Sequence, residues 1–125
     1  MNLKMALLQI AEKALDETAE EFADLQKEQM DKSVYDWPRT THRSNGETVS
    51  APRDIVDTGQ LKASQQYEKT GRFRHEYVYP EPYAAIVHEG GKTQSGDEYP
   101  SRPWIDDSAE SVVDIFADKL RSHLN

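Results

Sequence analysis

The 125-residue sequence predicts an α+β fold, with long N-terminal and C-terminal helices packed on a small antiparallel β-sheet and joined by short helices and long loops. Three patterns predict it. Apolar residues recur at three- and four-residue steps near both ends, a period-two alternation runs through 73–79, and glycines and prolines punctuate the chain between. The length fits one domain around a single core.

Residues 3–30 read as one amphipathic helix. Leu3, Leu7, Ile10, Ala14, Thr18, Phe22 and Leu25 form its apolar stripe, and Glu12, Asp16, Glu20 and Asp24 are expected to face solvent. No Gly or Pro interrupts it. The stretch 31–56 has no sustained period and reads as a flexible loop or a hairpin arm. A loop of that length is normally functional, or orders on a partner. Asn45-Gly46 suits the type I′ turn of a small hairpin.

Residues 57–100 are expected to carry the sheet and short helices. Asp57 starts a helical turn over roughly 58–64, with Leu61 facing inward. Strands follow at 65–70 and 73–79, turning near Thr70-Gly71; Phe73, His75, Tyr77 and Tyr79 share one face. Pro80 and Pro82 end the second strand. Tyr83–His88 reads as a short helix stopped by Gly90-Gly91, and 92–99 as a polar, mobile loop. Residues 101–125 form the C-terminal helix, with Ile105, Ala109, Val112, Phe116 and Leu120 on its apolar side. Pro103 or an Asp107/Glu110 capping box starts it.

Composition narrows the function. Hydrophobic residues make up 36% and charged residues 30%, and mean hydropathy is -0.87, so a thin core or surfaces completed by partners are expected. There is no cysteine, which excludes disulfides, thiol catalysis and thiolate-bound metals. The apolar run Met5–Leu8 meets acidic residues within a turn, unlike a signal peptide or a membrane span. A reducing cytoplasm is the expected site of synthesis.

The net charge of -8 sits at the ends of the chain: residues 1–36 have four basic against nine acidic groups, and 104–125 two against five. The middle cancels, with nine of each. Such a surface repels phosphate backbones, so ordinary nucleic-acid binding is disfavoured.

Asp57-Thr58-Gly59 admits two readings. After the apolar Ile55-Val56, Asp-Thr-Gly is how a dimeric aspartic protease presents its catalytic carboxylate. That fold is nearly all β, however, and no second apolar-apolar-Gly segment lies suitably downstream. The alternative is a helix cap: with Asp57 as N-cap, Gln60 completes an Asp-x-x-Gln capping box. No metal set emerges from His42, His75, His88 and His123, and His88-Glu89 lacks a second histidine one turn on. Gly90-Gly91 lacks the sequence of a phosphate loop. Ser50, Ser64 and Ser101 lack a nucleophile-elbow context. No catalytic, metal or cofactor site is expected.

Three segments in order carry a resemblance. They are Asp57-Thr58-Gly59-Gln60-Leu61-Lys62-Ala63-Ser64, then Tyr83-Ala84-Ala85-Ile86-Val87-His88-Glu89-Gly90-Gly91, then Ser101-Arg102-Pro103-Trp104-Ile105. The series resembles the neck or tail-completion proteins of tailed bacteriophages, a family of head–tail joining, minor tail components, over about residues 34–110. Tyr35-Asp36-Trp37-Pro38 and Pro52-Arg53-Asp54 fit one branch of it.

The resemblance implies a non-enzymatic virion protein, assembled in the host cytoplasm. It would form a ring of six that joins the tail tube or tail terminator to head-side connector proteins, around DNA that passes without sequence-specific binding. In that frame Asp57, Thr58, Gly59, Leu61 and Ser64 build a structural turn. Tyr83, Ala84, His88 and Gly90 brace the short helix. Arg102, Pro103 and Trp104 aim the C-terminal helix, with Trp104 in the core. Trp37, Arg39, His42, Arg43 and Asn45 of one loop, and Lys92, Gln94 and Asp97 of the other, are candidate assembly contacts. A small adaptor that binds a host protein through the same loops is a further alternative.

Overall fold

A computed structural model describes residues 2–35, 41–42, 48–49, 59–92 and 98–125. Helix α1 spans Leu3–Asp31. Asn2 caps it, its side-chain oxygen accepting the Met5 N–H at 2.8 Å. At 1.5 Å per residue the helix is about 43 Å long, and the other elements pack along it.

The buried side of α1 differs from the predicted stripe. It consists of Ala14, Thr18, Ala19, Ala23, Gln26, Gln29 and Met30. Short side chains let strand and helix backbones come close, whereas Leu3 and Leu7 at the N-terminal end are 75% and 46% exposed.

Two-residue strands β1 (Thr41–His42) and β2 (Thr48–Val49) pair antiparallel, Thr41 opposite Val49, so the 31–56 stretch contains a hairpin ladder. The Asn45-Gly46 turn lies outside the described residues. Helix α2 (Gln60–Ala63) precedes the main hairpin of β3 (Gln66–Gly71) and β4 (Arg74–Val78). Tyr67 lies opposite Tyr77, their rings stacked at 5.0 Å, and the register shifts between Lys69 and Gly71. The turn therefore falls at Arg72-Phe73, just past the expected Thr70-Gly71. Alternation along β4 turns His75 and Tyr77 towards α1, and Tyr79 follows on the same side. Tyr77 donates to the Ala19 carbonyl, and its ring meets Phe22 edge-on at 5.2 Å.

Helix α3 (Ala84–Glu89) leads into β5 (Gly91–Lys92), which pairs with β6 (Glu98–Tyr99). The 92–99 stretch, expected to be a loop, thus begins and ends in a ladder. The predicted C-terminal helix is two helices, α4 (Trp104–Ala109) and α5 (Val112–Leu124). Serine hydroxyls mark the break: Ser108 Oγ donates to the Ile105 carbonyl at 2.9 Å and Ser111 Oγ to the Ser108 carbonyl at 3.4 Å. Such local bonds compete with the helical ladder. The bend lets α4 bury Trp104 and Ser108 while α5 runs antiparallel to α1. Lys119 meets Glu21 at 3.6 Å, and His123 meets the earlier Glu17 at 2.6 Å. The architecture is α+β: a long N-terminal helix, C-terminal helices and a small two-stranded antiparallel sheet.

The core lies at the C-terminal half of α1. Met30, Tyr35, Leu61, Ala84 and Trp104 form the buried cluster, with Tyr79, Val87 and Ile105 packed against it.

Candidate functional site

The three motif segments meet at this core. In the first, Gly59 has φ +85 and occupies the N-cap position of α2, its carbonyl accepting the Ala63 N–H at 2.9 Å. The helix therefore starts at Gln60, two residues later than expected. Asp57 and Thr58 lie outside the described residues. Leu61 is buried, and Ser64 Oγ donates back to the Leu61 carbonyl at 2.7 Å. An exposed Lys62–Asp31 ion pair of 2.7 Å ties α2 to the end of α1.

In the second segment Ala84 is buried, and Tyr83, 41% exposed, takes the N-cap position of α3, its carbonyl accepting the Val87 N–H at 3.1 Å. His88 sets its ring edge-on to Trp104 at 4.9 Å. Gly90 ends α3 at φ +77 and is hemmed in by backbone. A Cβ there would stand 2.7 Å from both the Ser101 nitrogen and the Tyr99 oxygen. No other residue type fits that position without moving the chain.

The third segment closes on the second. Arg102 N–H bonds the Val87 and His88 carbonyls at 3.2 and 3.1 Å, and Ser101 Oγ bonds the His88 carbonyl at 3.0 Å. Pro103 takes the N-cap position of α4, and Trp104 is 1% exposed, flanked edge-on by Tyr79 at 5.3 Å. The Asp107/Glu110 capping box does not form. Asp107 instead ends a relay in which Gln29 Nε2 donates to Tyr35 Oη at 2.9 Å, and Tyr35 Oη donates to Asp107 Oδ2 at 3.0 Å. Burial, with the Asp107 carboxylate alongside, pushes the Tyr35 phenol up to about 12. A second relay joins Gln65 Nε2 to Tyr79 Oη at 2.9 Å, and Tyr79 Oη to Gln26 Oε1 at 3.0 Å. Burial raises the Tyr79 phenol also. Both relays satisfy polar groups that a thin core has to enclose.

At the edge of this cluster, a concavity of about 350 Å³ opens beside Tyr79, Trp104 and Ile105, with Ala85, His88, Glu89 and Asp106 also lining it. His88 Nε2 stands 4.0 Å from Asp106. No serine, threonine or lysine accompanies that pair among the described lining residues. Among the described residues no group of three potential metal ligands occurs.

The expectation that Glu12 and Asp16 are solvated is corrected. Glu12 receives Lys69 at 2.8 Å and Arg72 at 2.6 Å, and Asp16 receives Lys69 at 2.9 Å and His75 at 3.1 Å. This clamp docks the β3–β4 turn on α1. The Lys69 and Arg72 bonds hold the Glu12 carboxyl below its ordinary value, and Glu12 and Asp16 hold the Lys69 ammonium above its own. Tyr67 Oη lies 3.0 Å from His75 Nδ1, giving a Tyr–His–Asp chain. Burial, then Glu20 and Asp16, raise the Tyr67 phenol. The chain ends on Asp16, one of the two carboxylates of the clamp. His123, expected at a frayed end, is held by Glu17.

Of the candidate assembly residues, His42 and Lys92 stand at the inner ends of the β1–β2 and β5–β6 ladders. Trp37, Arg39, Arg43, Asn45, Gln94 and Asp97 lie outside the described residues. Sequence reading missed the clamp and both relays. The i, i+4 spacing of Glu12 and Asp16, facing a Lys69–Arg72 turn, was the available signal.

No family model, curated protein or solved structure matches this chain. The residues themselves carry the functional reading.

Proposed function

We propose that this chain is a structural subunit of a tailed-bacteriophage neck, a tail-completion protein. In this reading it forms a ring, of six copies by the family resemblance, between the tail tube and the head-side connector. It works through its surfaces and carries out no catalysis.

One observation supports this above the others: the three segments that carry the resemblance pack together. Leu61, Ala84 and Trp104, one from each, share a single buried cluster. Gly90 of the second segment is packed against residues 99–101 at the edge of the third. A shared fold requires such closure, and a chance run of short motifs does not.

Electrostatics adds support. Glu20, Glu21, Asp24, Asp114 and Asp118 are exposed on α1 and α5. A ring that turned this face inward would repel a passing DNA backbone and let it slide. Glu12 and Asp16 are excluded from that role by the clamp.

The test is genetic. Removing the gene from a phage that carries it should leave DNA-filled heads and unattached tails, seen by negative-stain microscopy, with joining restored by the chain in trans. Normal tailed particles without the protein would overturn the proposal.

A further inference from the structure

The β3–β4 hairpin is held to α1 in two different ways. At its base the contacts are neutral. Tyr77 donates to the Ala19 carbonyl and sets its ring against Phe22, and Gln65 Nε2 donates to the Ala23 carbonyl at 3.0 Å. Towards the turn the contacts are ionic: Lys69 with Glu12 and Asp16, Arg72 with Glu12, and His75 with Asp16. Residues 66–74 are exposed throughout, Phe73 among them, so no buried apolar side chain of this stretch secures the tip. The register shift between Lys69 and Gly71 lies in the ionic part, where it interrupts the ladder and eases bending.

The two kinds of contact respond differently to salt. The side chains of Lys69, Arg72, Glu12 and Asp16 are between 27% and 47% exposed, so solvent ions reach them. At an ionic strength of about 1 M the Debye length is about 3 Å, and pairs exposed to that degree are screened. Ring packing on Phe22 and a hydrogen bond to a helix carbonyl carry no net charge to screen.

We propose that residues 69–75 form an electrostatic latch. The hairpin tip swings off α1 when its ion pairs are screened or neutralised, while the base stays docked. Closed, the tip covers the α1 stretch around Glu12 and Asp16; open, it uncovers that stretch and releases Lys69 and Arg72. The charged groups that set the balance are Glu12, Asp16 and Glu20 on α1 and Lys69, Arg72 and His75 on the hairpin, with Tyr67 bonded to His75. Arg74 and Glu76 pair with each other on the opposite face and take no part. The buried cluster contains no residue of the tip, so opening leaves the core intact. The inference concerns motion within one molecule and does not rest on the neck reading.

A chain without cysteine takes two spin labels without background. Leu3→Cys on α1 and Phe73→Cys at the turn replace side chains that are 75% and 45% exposed. Double electron–electron resonance then reads the distance between the labels. In low salt one closed distance should dominate. Raising sodium chloride to about 1 M should add a second, longer distance, with the open-to-closed ratio up about tenfold, the combined scale of several exposed ion pairs. Glu12→Gln with Asp16→Asn should open the tip in low salt. Glu12→Lys should also open it, and adding Arg72→Glu should recover part of the closed population. The nuclear Overhauser contact between the Tyr77 and Phe22 rings should persist throughout.

A single distance that ignores both salt and the neutralising pair overturns the latch. So does loss of the Tyr77–Phe22 contact together with tip opening, because the base has to hold while the tip moves. A tip opened by Glu12→Lys but not reclosed at all by Arg72→Glu removes the ion pairing as its cause. The neck reading is judged by the gene-removal phenotype alone, so a rigid tip leaves that reading as it stands.

Discussion

Gly90→Ala is the substitution that most directly probes how the motif segments close on each other. At φ +77 and ψ -174 the glycine occupies backbone space that residues with a Cβ rarely enter. That strain alone costs of order 1–3 kcal/mol. The new Cβ would also stand 2.7 Å from Ser101 N, 2.7 Å from Tyr99 O and 3.0 Å from Pro100 C. All three are backbone atoms, so relief requires pulling 99–101 away from α3. That movement breaks the Arg102 bonds to Val87 and His88, and overpacking of this kind costs about 1–3 kcal/mol. Together the loss is about 2–6 kcal/mol. With a urea slope of about 1.5 kcal/mol/M, the unfolding midpoint should fall by about 1–4 M, followed by far-UV circular dichroism. Gly59 is the internal control, with φ +85 but no atom within 4 Å of where a Cβ would stand. Gly59→Ala should cost about 1–2 kcal/mol, and Gly59→Asn less, because Asn tolerates the left-handed region. Gly90→Asn should be no better than Gly90→Ala. Equal losses at the two glycines would refute the reasoning, since only Gly90 faces a backbone wall.

Other outcomes follow from the packing and the ionisations. Trp104→Ala should cost about 3–5 kcal/mol as a buried large-to-small change, measured by the same urea titration. Tyr35→Phe should cost about 1–3 kcal/mol, because it leaves the buried Gln29 amide without its acceptor. At high pH the native Tyr35 phenol titrates at about 12 against an ordinary 10.0. A raised value gives stability that is full below pH 10 and lost towards 12, about 3 kcal/mol in all. Tyr35→Phe should remove that part of the alkaline loss in unfolding measured against pH. Glu12 behaves oppositely. Its lowered carboxyl contributes above the ordinary 4.5 and loses that contribution as pH falls through the lowered value. Glu12→Gln should therefore flatten the acid limb of stability below about pH 4.5. Asp57→Asn should leave tail joining largely intact, because Gly59 holds the N-cap position of α2 and the proposed role needs no catalytic carboxylate.

The parts of the fold that were legible in the sequence were those with a strong local period. Helix α1 and the β3–β4 hairpin declare themselves in 3.6- and two-residue patterns, and prolines 80 and 82 mark where the hairpin ends. The break in the C-terminal helix was hidden because residues 104–124 keep an apolar period through it. What breaks the helix is the bonding of Ser108 and Ser111 hydroxyls to carbonyls, together with the need to bury Trp104. The buried side of α1 was hidden for a related reason. Its selection of Ala14, Ala19 and Ala23 over Leu3 and Leu7 follows from where the partners end, and no local pattern records that.

At the site, Leu61 and Trp104 were readable as inward-facing because each is a large apolar residue beside turn chemistry. The constraint on Gly90 was readable only as a helix stop, since the wall it meets comes from residues 99–101. The Glu12–Lys69–Arg72 clamp and the Gln29–Tyr35–Asp107 relay join residues far apart in sequence. Polar partners at such separations leave no periodic trace, and a helix face that looks solvated can be a docking face.

Whether this chain is a part of the virion neck is tested most directly by its position in purified particles of a phage that carries it. Cryo-electron microscopy of the head–tail junction gives that position, and mass spectrometry of the same particles supports the assignment. The expected result is a ring of this fold between the head-side connector and the tail tube, with the acidic α1–α5 face towards the DNA. Complete, infectious particles that lack the chain would contradict it.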